Sequence, residues 1–477
     1  VPTPSSDELR TWLLVGIAAY LLLIFALASF ASRRVESATD YVVAGRRLGF
    51  FFATGTLLAT WFGAGTLMTA ADEVRLRGVE AATLDPVGAG LCLILAGLFF
   101  AGPLWREQLI TLPELFERRY GLAERRLAAA LMVPTYLGWI AAQFAALAGL
   151  LHLFFGVPPA LGAALVALVG ISYTRMGGMW AVAMTDALQI ALSVVGLLFV
   201  SVAVLAHLGE GSALLGAERL WANTPESHRS LLPHESGRLA SWLGVLAAGS
   251  LGNLASQDLF QRVFSARSEG VAKAACLSAG AAYLTLGLVP VLLGLAGRQL
   301  FGAVGDATVA ALAGIFLHPA AAVFFLVTLL SIVLSTIDSA LLAPATVIAR
   351  DLMTPAEDDA RELQRIKAAV VGLGIVSLAL TWLGESAYAL LESSYELGMV
   401  ALLVPLCLAV FVSKRVKGAA LGAMLVGTGL WALHMALGWE GFFATTAPSG
   451  LGCTAAAASV AALVTALGRP IDAPAPA

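Results

Sequence analysis

Long apolar stretches, separated by short polar segments, run from one end of this chain to the other. We read thirteen of them, at residues 10–31, 50–71, 83–103, 127–155, 158–174, 181–207, 239–260, 273–300, 316–349, 366–384, 393–412, 417–438 and 445–467. A helix rises about 1.5 Å per residue, so stretches of about 20 residues cross a hydrocarbon layer of about 30 Å. The pattern predicts an all-α membrane protein with about thirteen spans, and an odd count puts the two termini on opposite sides.

Composition agrees with this solvent. Apolar residues make up 59% of 477 and charged residues only 12%, against roughly 25% charged in soluble domains. Mean hydropathy is +0.87. A net charge of −3 argues against nucleic acid as a partner, and nothing points to an obligatory protein partner; the expected surroundings are a lipid bilayer and a small solute.

Charge sets the orientation. With the N-terminus outside, 21 of the 28 basic residues fall in inward-facing segments, among them Arg33, Arg34, Arg118, Arg119, Arg350, Lys414 and Arg415. That bias is the one cytoplasmic loops carry. The reading is therefore a multi-pass protein of the plasma (inner) membrane, with its C-terminus cytoplasmic. The first span ends in "ALASFAS" (26–32), which looks like a cleavage site. Yet acidic Asp7 and Glu8 precede it and Arg33-Arg34 follow, so it reads as a retained anchor helix. The chain ends about ten residues past its last span, in "PIDAPAPA", and we expect no attached soluble domain. Cys92, Cys276, Cys407 and Cys453 all fall within spans, without metal-ligand spacing, and read as small packing residues.

Glycine punctuates two spans at their centres: "ATWFGAGT" (59–66) and "AAGSLGNLASQ" (247–257). Glycines let helices approach closely, but two clusters five spans apart also fit two inverted repeats that each open with a discontinuous helix. The expected organisation of the single transporter domain, 1–477, is an extra helix at 10–31, repeats at 48–207 and 239–412, and two further helices at 417–467.

The ninth span holds "IVLSTIDSALL" (332–342). At 100° per residue, Ser335, Thr336, Asp338 and Ser339 share one face, with Leu334 and Ile337 on the other. Hydroxyls in membrane helices commonly bond back to the carbonyl four residues earlier. Beside a broken helix with free carbonyls, however, such a face offers hard, nearly neutral ligands suited to an alkali cation, and sodium is the natural occupant.

At this point the sequence resembles the sodium/solute symporter family. The motifs that carry the likeness are "VLSTIDSALLAPATVIARDL" (333–352), "YVVAGRRLGFFFATGTLLATWFGAGT" (41–66), "YTRMGGMWAVAMTDALQ" (173–189) and "DLFQRVFSARS" (258–268). The resemblance implies a LeuT-like 5+5 inverted-repeat fold. It also implies a sodium site built from the Ser335 and Thr336 hydroxyls and the backbone oxygens of Ala59, Phe62 and Ile332. A second cation site would lie near Asp186, Asp338 and Ser339. Asp338 stands where some two-sodium members have serine, which puts that geometry in doubt, and Asp186 has an alternative role as a gating carboxylate. Asp258 and Arg262, four apart, read as an intrahelical ion pair.

A substrate pocket between the broken helices would draw on Trp61, Thr66, Asp85, Trp139, Gln143, Asn253, Ser256 and Gln257. The text around Trp61, the tryptophan of the fourth span and "LILAGLFFAGP" (93–103) look most like choline transporters. Further cage aromatics for a quaternary ammonium are replaced by Ala89 and Ser256. Asp85 is either an anion for an amine or, just before Pro86, a helix N-cap. An organic cation, an amino acid or betaine, and a monocarboxylate or sugar all remain open.

The expected function is sodium-coupled symport of a small organic solute, choline-like, betaine-like or otherwise amine-containing, by alternating access. A membrane sensor of the same fold is the alternative from another class, and fused output domains would favour it. A proton-coupled transporter or exchanger would more naturally place a Lys or carboxylate at the Ser335-Thr336 pair. Enzyme chemistry is not expected, because His152, His207, His228, His234, His318 and His434 form no metal or triad constellation. The polar interval 208–238 is expected to cap an external vestibule, with a helix around "ALLGAERLWAN".

Overall fold

A computed structural model describes residues 7–233, 235–302, 307–383 and 387–470. His234 and residues 471–477 of the tail lie outside the described residues. Among the described residues every regular element is helical, and β-contact is limited to isolated bridges such as Leu48 with Ala266.

Ten helices are long and apolar enough to cross a membrane, and twelve spans result when two bent pairs are counted. In chain order they are α1 (Asp7–Ser32); the bent pair α2 (Phe50–Trp61) and α3 (Gly65–Arg77); α4 (Val79–Arg106), α5 (Leu122–Phe155) and α6 (Pro159–Leu208). There follow the second bent pair, α7 (Leu239–Ala255) and α8 (Gln257–Ser265); then α9 (Glu269–Phe301), α10 (Ala320–Leu352), α11 (Asp359–Thr381), α12 (Ala389–Phe411), α13 (Ala419–Leu437) and α14 (Ser449–Leu467).

The difference from the expected thirteen lies in α6. Its 50 residues cover the fifth and sixth expected spans with no loop between them. Gly178 interrupts it with φ +55° and ψ −161°, a backbone that glycine alone adopts without strain. Twelve residues of straight helix would hold Tyr173 and Thr185 about 18 Å apart. Their hydroxyls are instead 2.8 Å apart, so the chain turns back on itself at Gly178.

Both glycine clusters are breaks. α2 stops at Trp61, Phe62 leaves helical geometry (φ −79°, ψ 57°), and α3 departs at 56°. In the second pair, Ser256 is extended (φ −91°, ψ 143°) and α8 departs at 49°. α10 lies inside the bundle against α5, α6 and α11, with both breaks beside it. Every residue of α8 is buried. The helix Ala213–Asn223 forms in the 208–238 interval as expected. The cysteines are free; three are buried and Cys407 is half-buried, consistent with packing.

Candidate functional site

The end of α2 explains why carbonyls are free here. A continuing helix would point the Gly63 amide at Ala59 O and the Ala64 amide at Thr60 O. Gly63 N instead donates to Trp61 O at 2.9 Å, and Ala64 N donates to Gln143 Oε1 of α5 at 3.0 Å. Thr336 fills the space this opens. Its Oγ1 is 3.5 Å from Ala59 O and 3.3 Å from Ile332 O. Three of the five oxygens expected around sodium therefore converge at the break. Phe62 is the first residue past α2, with its carbonyl out of the helical ladder.

Ser335 Oγ donates to Asp186 Oδ1 of α6, whose Oδ2 accepts from Thr56 Oγ1 of α2 at 2.5 Å. All three residues are buried. With its proton turned toward Asp186, the Ser335 oxygen keeps lone pairs for a cation. One carboxylate thus braces α2, α6 and α10 at the same level.

The other expected cation ligands sit in a second network. Ser339 Oγ donates to Asp338 Oδ1 at 3.1 Å and receives Arg262 Nη2 at 2.5 Å. Thr60 Oγ1 lies 3.3 Å from the same hydroxyl. Arg262 Nε is 3.2 Å from both the carbonyl and the hydroxyl of Thr56. Arg262 is therefore joined to Asp186 and Asp338 through one hydroxyl each, and Asp338 Oδ2 has no hydrogen-bond partner among the described residues. The expected ion pair within α8 is absent. Arg262 Nη1 takes the backbone oxygen of Asp258 at 2.8 Å, while the Asp258 carboxylate accepts from Trp61 Nε1 at 2.9 Å and Tyr136 OH at 2.6 Å. Asp258 lies in the first turn of α8, and its side chain tilts back toward the helix N-terminus, away from Arg262 and toward Trp61 at the end of α2.

Among the substrate candidates, Asp85 has the backbone of an N-cap just before Pro86, but its carboxylate is engaged by side chains. Its backbone is extended (φ −145°, ψ 123°) and its buried Oδ1 accepts from Thr66 Oγ1 at 2.7 Å and Tyr283 OH at 2.9 Å. A Cβ added at Gly65 would lie 3.1 Å from Asp85 Oδ2 and 3.3 Å from Leu391 Cδ1. Trp139, one turn before Gln143, packs with Leu84, Ala142, Leu391 and Tyr395. Tyr395 has Asn253 beside its hydroxyl. Gln143 Nε2 and Ser256 Oγ are buried without hydrogen-bond partners among the described residues. Gln257 does not belong to this pocket. Its amide donates to Ile110 O at 3.0 Å and accepts from Leu112 N at 2.7 Å, because the first turn of α8 aims it at the 108–112 connection.

Five residues that do the joining escaped the sequence reading: Thr56, Tyr136, Arg262 as a bridge, Tyr283 and Tyr395. Thr56 had a signal, since it lies one helical turn before Thr60 on the same face of α2. The tyrosines had none, because bundle packing alone brings them to the site.

The two ends of the site differ. On the face carrying 208–238, a groove of about 450 Å³ is lined by Arg77, Glu80, Thr83, His228, Trp242 and Val245. Val245 also packs on the cluster that holds Trp139 and Tyr395, so the groove adjoins that cluster. Arg238 pairs with Glu80 at 2.8 Å. Burial, then the nearby Arg298, lowers His228 below the usual imidazole range, so it faces the groove uncharged at neutral pH. The opposite face is tied shut around α8. Gln261 Nε2 donates to Val42 O at 2.7 Å, Trp105 Nε1 to Ala266 O at 2.9 Å, and Arg46 to Phe264 O at 3.2 Å.

Known proteins with similar chains were compared with this geometry. Residues 41–427 match the model of the sodium:solute symporter family. The human high affinity choline transporter 1 is 29% identical over 60% of this chain and 50% of its own length, so the chain spans about half the length of that relative. The Escherichia coli sodium/pantothenate symporter is 24% identical over 88% of this chain and 90% of its own. Among solved structures, a Na+-coupled sialic acid symporter in a substrate-bound outward-open state superposes with a TM-score of 0.77, at 19% identity over 96% of this chain and 98% of that one. A nucleobase-cation-symport-1 family transporter in a closed conformation gives 0.60, at 15% identity over 89% and 94%. These likenesses show the fold expected from the glycine clusters, a LeuT-like bundle with two discontinuous helices. Helix breaks, motifs and family model agree, and the chain belongs to the sodium:solute symporter family.

Proposed function

We propose that this protein is a sodium-coupled symporter of a small organic ammonium, working by alternating access in a cell membrane. The observation that carries the reading is the convergence of Thr336 Oγ1 with Ala59 O and Ile332 O at the break of α2. Hard oxygen ligands of low net charge suit an alkali ion, and we assign the Ser335 hydroxyl and the Phe62 carbonyl to the same ion. We read Asp338 and Ser339 as support for this site rather than a second one. Arg262 already brings a positive charge to them, and a second cation placed there would be repelled by it.

The ammonium would sit against Asp85. A buried carboxylate with one oxygen held by Thr66 and Tyr283 lies beside a cluster containing Trp139 and Tyr395, which supplies an anion and aromatic faces together. Gln143 Nε2 offers a donor to an oxygen on the same solute. With the N-terminus outside, the groove floored by Val245 faces the exterior, and the ties around α8 close the cytoplasmic side. Inward release would break those ties while α10 and α2 part at the sodium site, so ion and solute leave together.

Thermal unfolding of purified protein tests the pairing. A cationic amine should raise the melting temperature more in sodium than in potassium, and carboxylates and sugars should not. Stabilisation by a sugar alone, or by an amine equally in both salts, would contradict the reading.

A further inference from the structure

A groove of about 720 Å³ opens on the outer surface of the bundle between α12 and α14. Its walls are Leu403, Cys407 and Phe411 of α12 and Ala458, Ala462 and Ala466 of α14, and one end reaches Lys414. Along α12 the lining runs from Leu403 to Phe411, eight helical rises or about 12 Å. That is close to the depth of one leaflet, about half of a hydrocarbon core of about 30 Å. In a bilayer such a surface faces acyl chains.

The end of the groove is basic. An antiparallel bridge between Val416 and Pro470 draws the α12–α13 connection and the end of α14 together, so that Arg415, Lys417 and Arg469 flank the paired residues. Lys414 Nζ donates to Thr465 O at 2.6 Å and Ala466 O at 3.4 Å, the last-turn carbonyls of α14. None of these four cations has a carboxylate within ion-pair distance among the described residues, whereas the connections around Glu107, Glu114 and Glu269 neutralise theirs. Lys414, Lys417 and Arg469 are exposed. An apolar slot close to one leaflet deep, ending in four cations that pair with no carboxylate among the described residues, matches a molecule with an acyl chain and a phosphate.

We propose that the groove between α12 and α14 is a binding site for one anionic glycerophospholipid, with an acyl chain between the helices and its phosphate held by Arg415, Lys417 and Arg469. Lys414 closes the top of the slot by capping α14 and adds its charge to the phosphate seat. The site is separate from the sodium and solute pocket, and nothing in the transport reading requires it.

Native mass spectrometry of the full protein, with graded phosphatidylglycerol or phosphatidylcholine of identical acyl chains, provides the test. Each cation near an anionic headgroup is worth about fivefold, so the wild type should prefer the glycerol lipid by about tenfold or more. R415Q/K417Q/R469Q, which changes side chains at the surface and spares the Lys414 cap, should bring the two lipids within about twofold. A462W, at an exposed groove position, should lose retention of both. Equal retention of both lipids by the wild type, or an undiminished preference in the triple variant, overturns the proposal. So does lipid retention by A462W, or a dimer that A462W dissociates, since the groove would then seat another copy of the chain.

Discussion

Ser335 on α10 donates its hydroxyl proton to Asp186 on α6, a residue 149 positions earlier in the chain. The contact fixes the rotamer of a hydroxyl proposed to ligate sodium and leaves its lone pairs free. Replacing Ser335 by alanine removes both the ligand and the brace. Hydrogen bonds involving charged groups contribute about 1.5–3 kcal/mol, so the sodium concentration for half-maximal uptake should rise about tenfold or more. D186N should shift it in the same direction by a smaller factor, while A59G, which keeps its carbonyl, should stay near wild type. Sodium titration of uptake reads all three, and an unchanged S335A would remove Ser335 from the site.

Asp85 separates solute from ion. D85N keeps the shape and leaves Thr66 and Tyr283 an acceptor, but removes the charge. Losing one partner of a buried charge pair costs about 2–5 kcal/mol, so the KM for an ammonium solute should rise at least about thirtyfold. Sodium binding, followed by the intrinsic fluorescence of Trp61, should persist. A neutral solute transported equally by both forms would rule out Asp85 as the counter-ion.

Gly63 is where α10 comes closest to the break. A Cβ there would lie 2.5 Å from Thr336 Oγ1, 3.0 Å from Thr336 Cγ2 and 3.1 Å from Gln143 Oε1. Overpacking of this kind costs about 1–3 kcal/mol. G63A should fold with a lowered melting temperature and show weakened sodium dependence, because Thr336 must move off Ala59. Wild-type sodium affinity in G63A would mean that this approach does not matter to the ion.

Gln257 should behave as a tie and not as a pocket residue. Q257L removes both bonds to the 110–112 backbone, so hydrogen exchange at the Leu112 amide should speed up while equilibrium solute affinity changes by less than about threefold. A large loss of affinity without faster exchange would return Gln257 to the pocket.

The sequence carried the membrane class and both helix breaks, and it singled out the hydroxyl face of α10 that the structure sets beside the first break, because each leaves a local mark. Glycine clusters mark breaks that lipid-facing helices do not need, and Ser335, Thr336 and Ser339 gather their hydroxyls toward one side of α10. It carried less wherever distant segments meet. Tyr283 and Tyr395 reach Asp85 and Asn253 only through bundle packing. The Asp258 and Arg262 spacing suggested an ion pair, but the tilt of the first turn of α8 sends the carboxylate to Trp61 and Tyr136 instead. α6 is one helix where the sequence reads two spans, 158–174 and 181–207, because the turn between them is a single glycine, Gly178.

Proteoliposome uptake tests the central claim most directly. Vesicles holding purified protein are given an inward sodium gradient, or a matched potassium gradient, and a radiolabelled ammonium solute is followed over time. Our account predicts transient accumulation above the external concentration in sodium only, lost in S335A/T336A. Binding without accumulation, or accumulation driven by a proton gradient with no need for sodium, would contradict it.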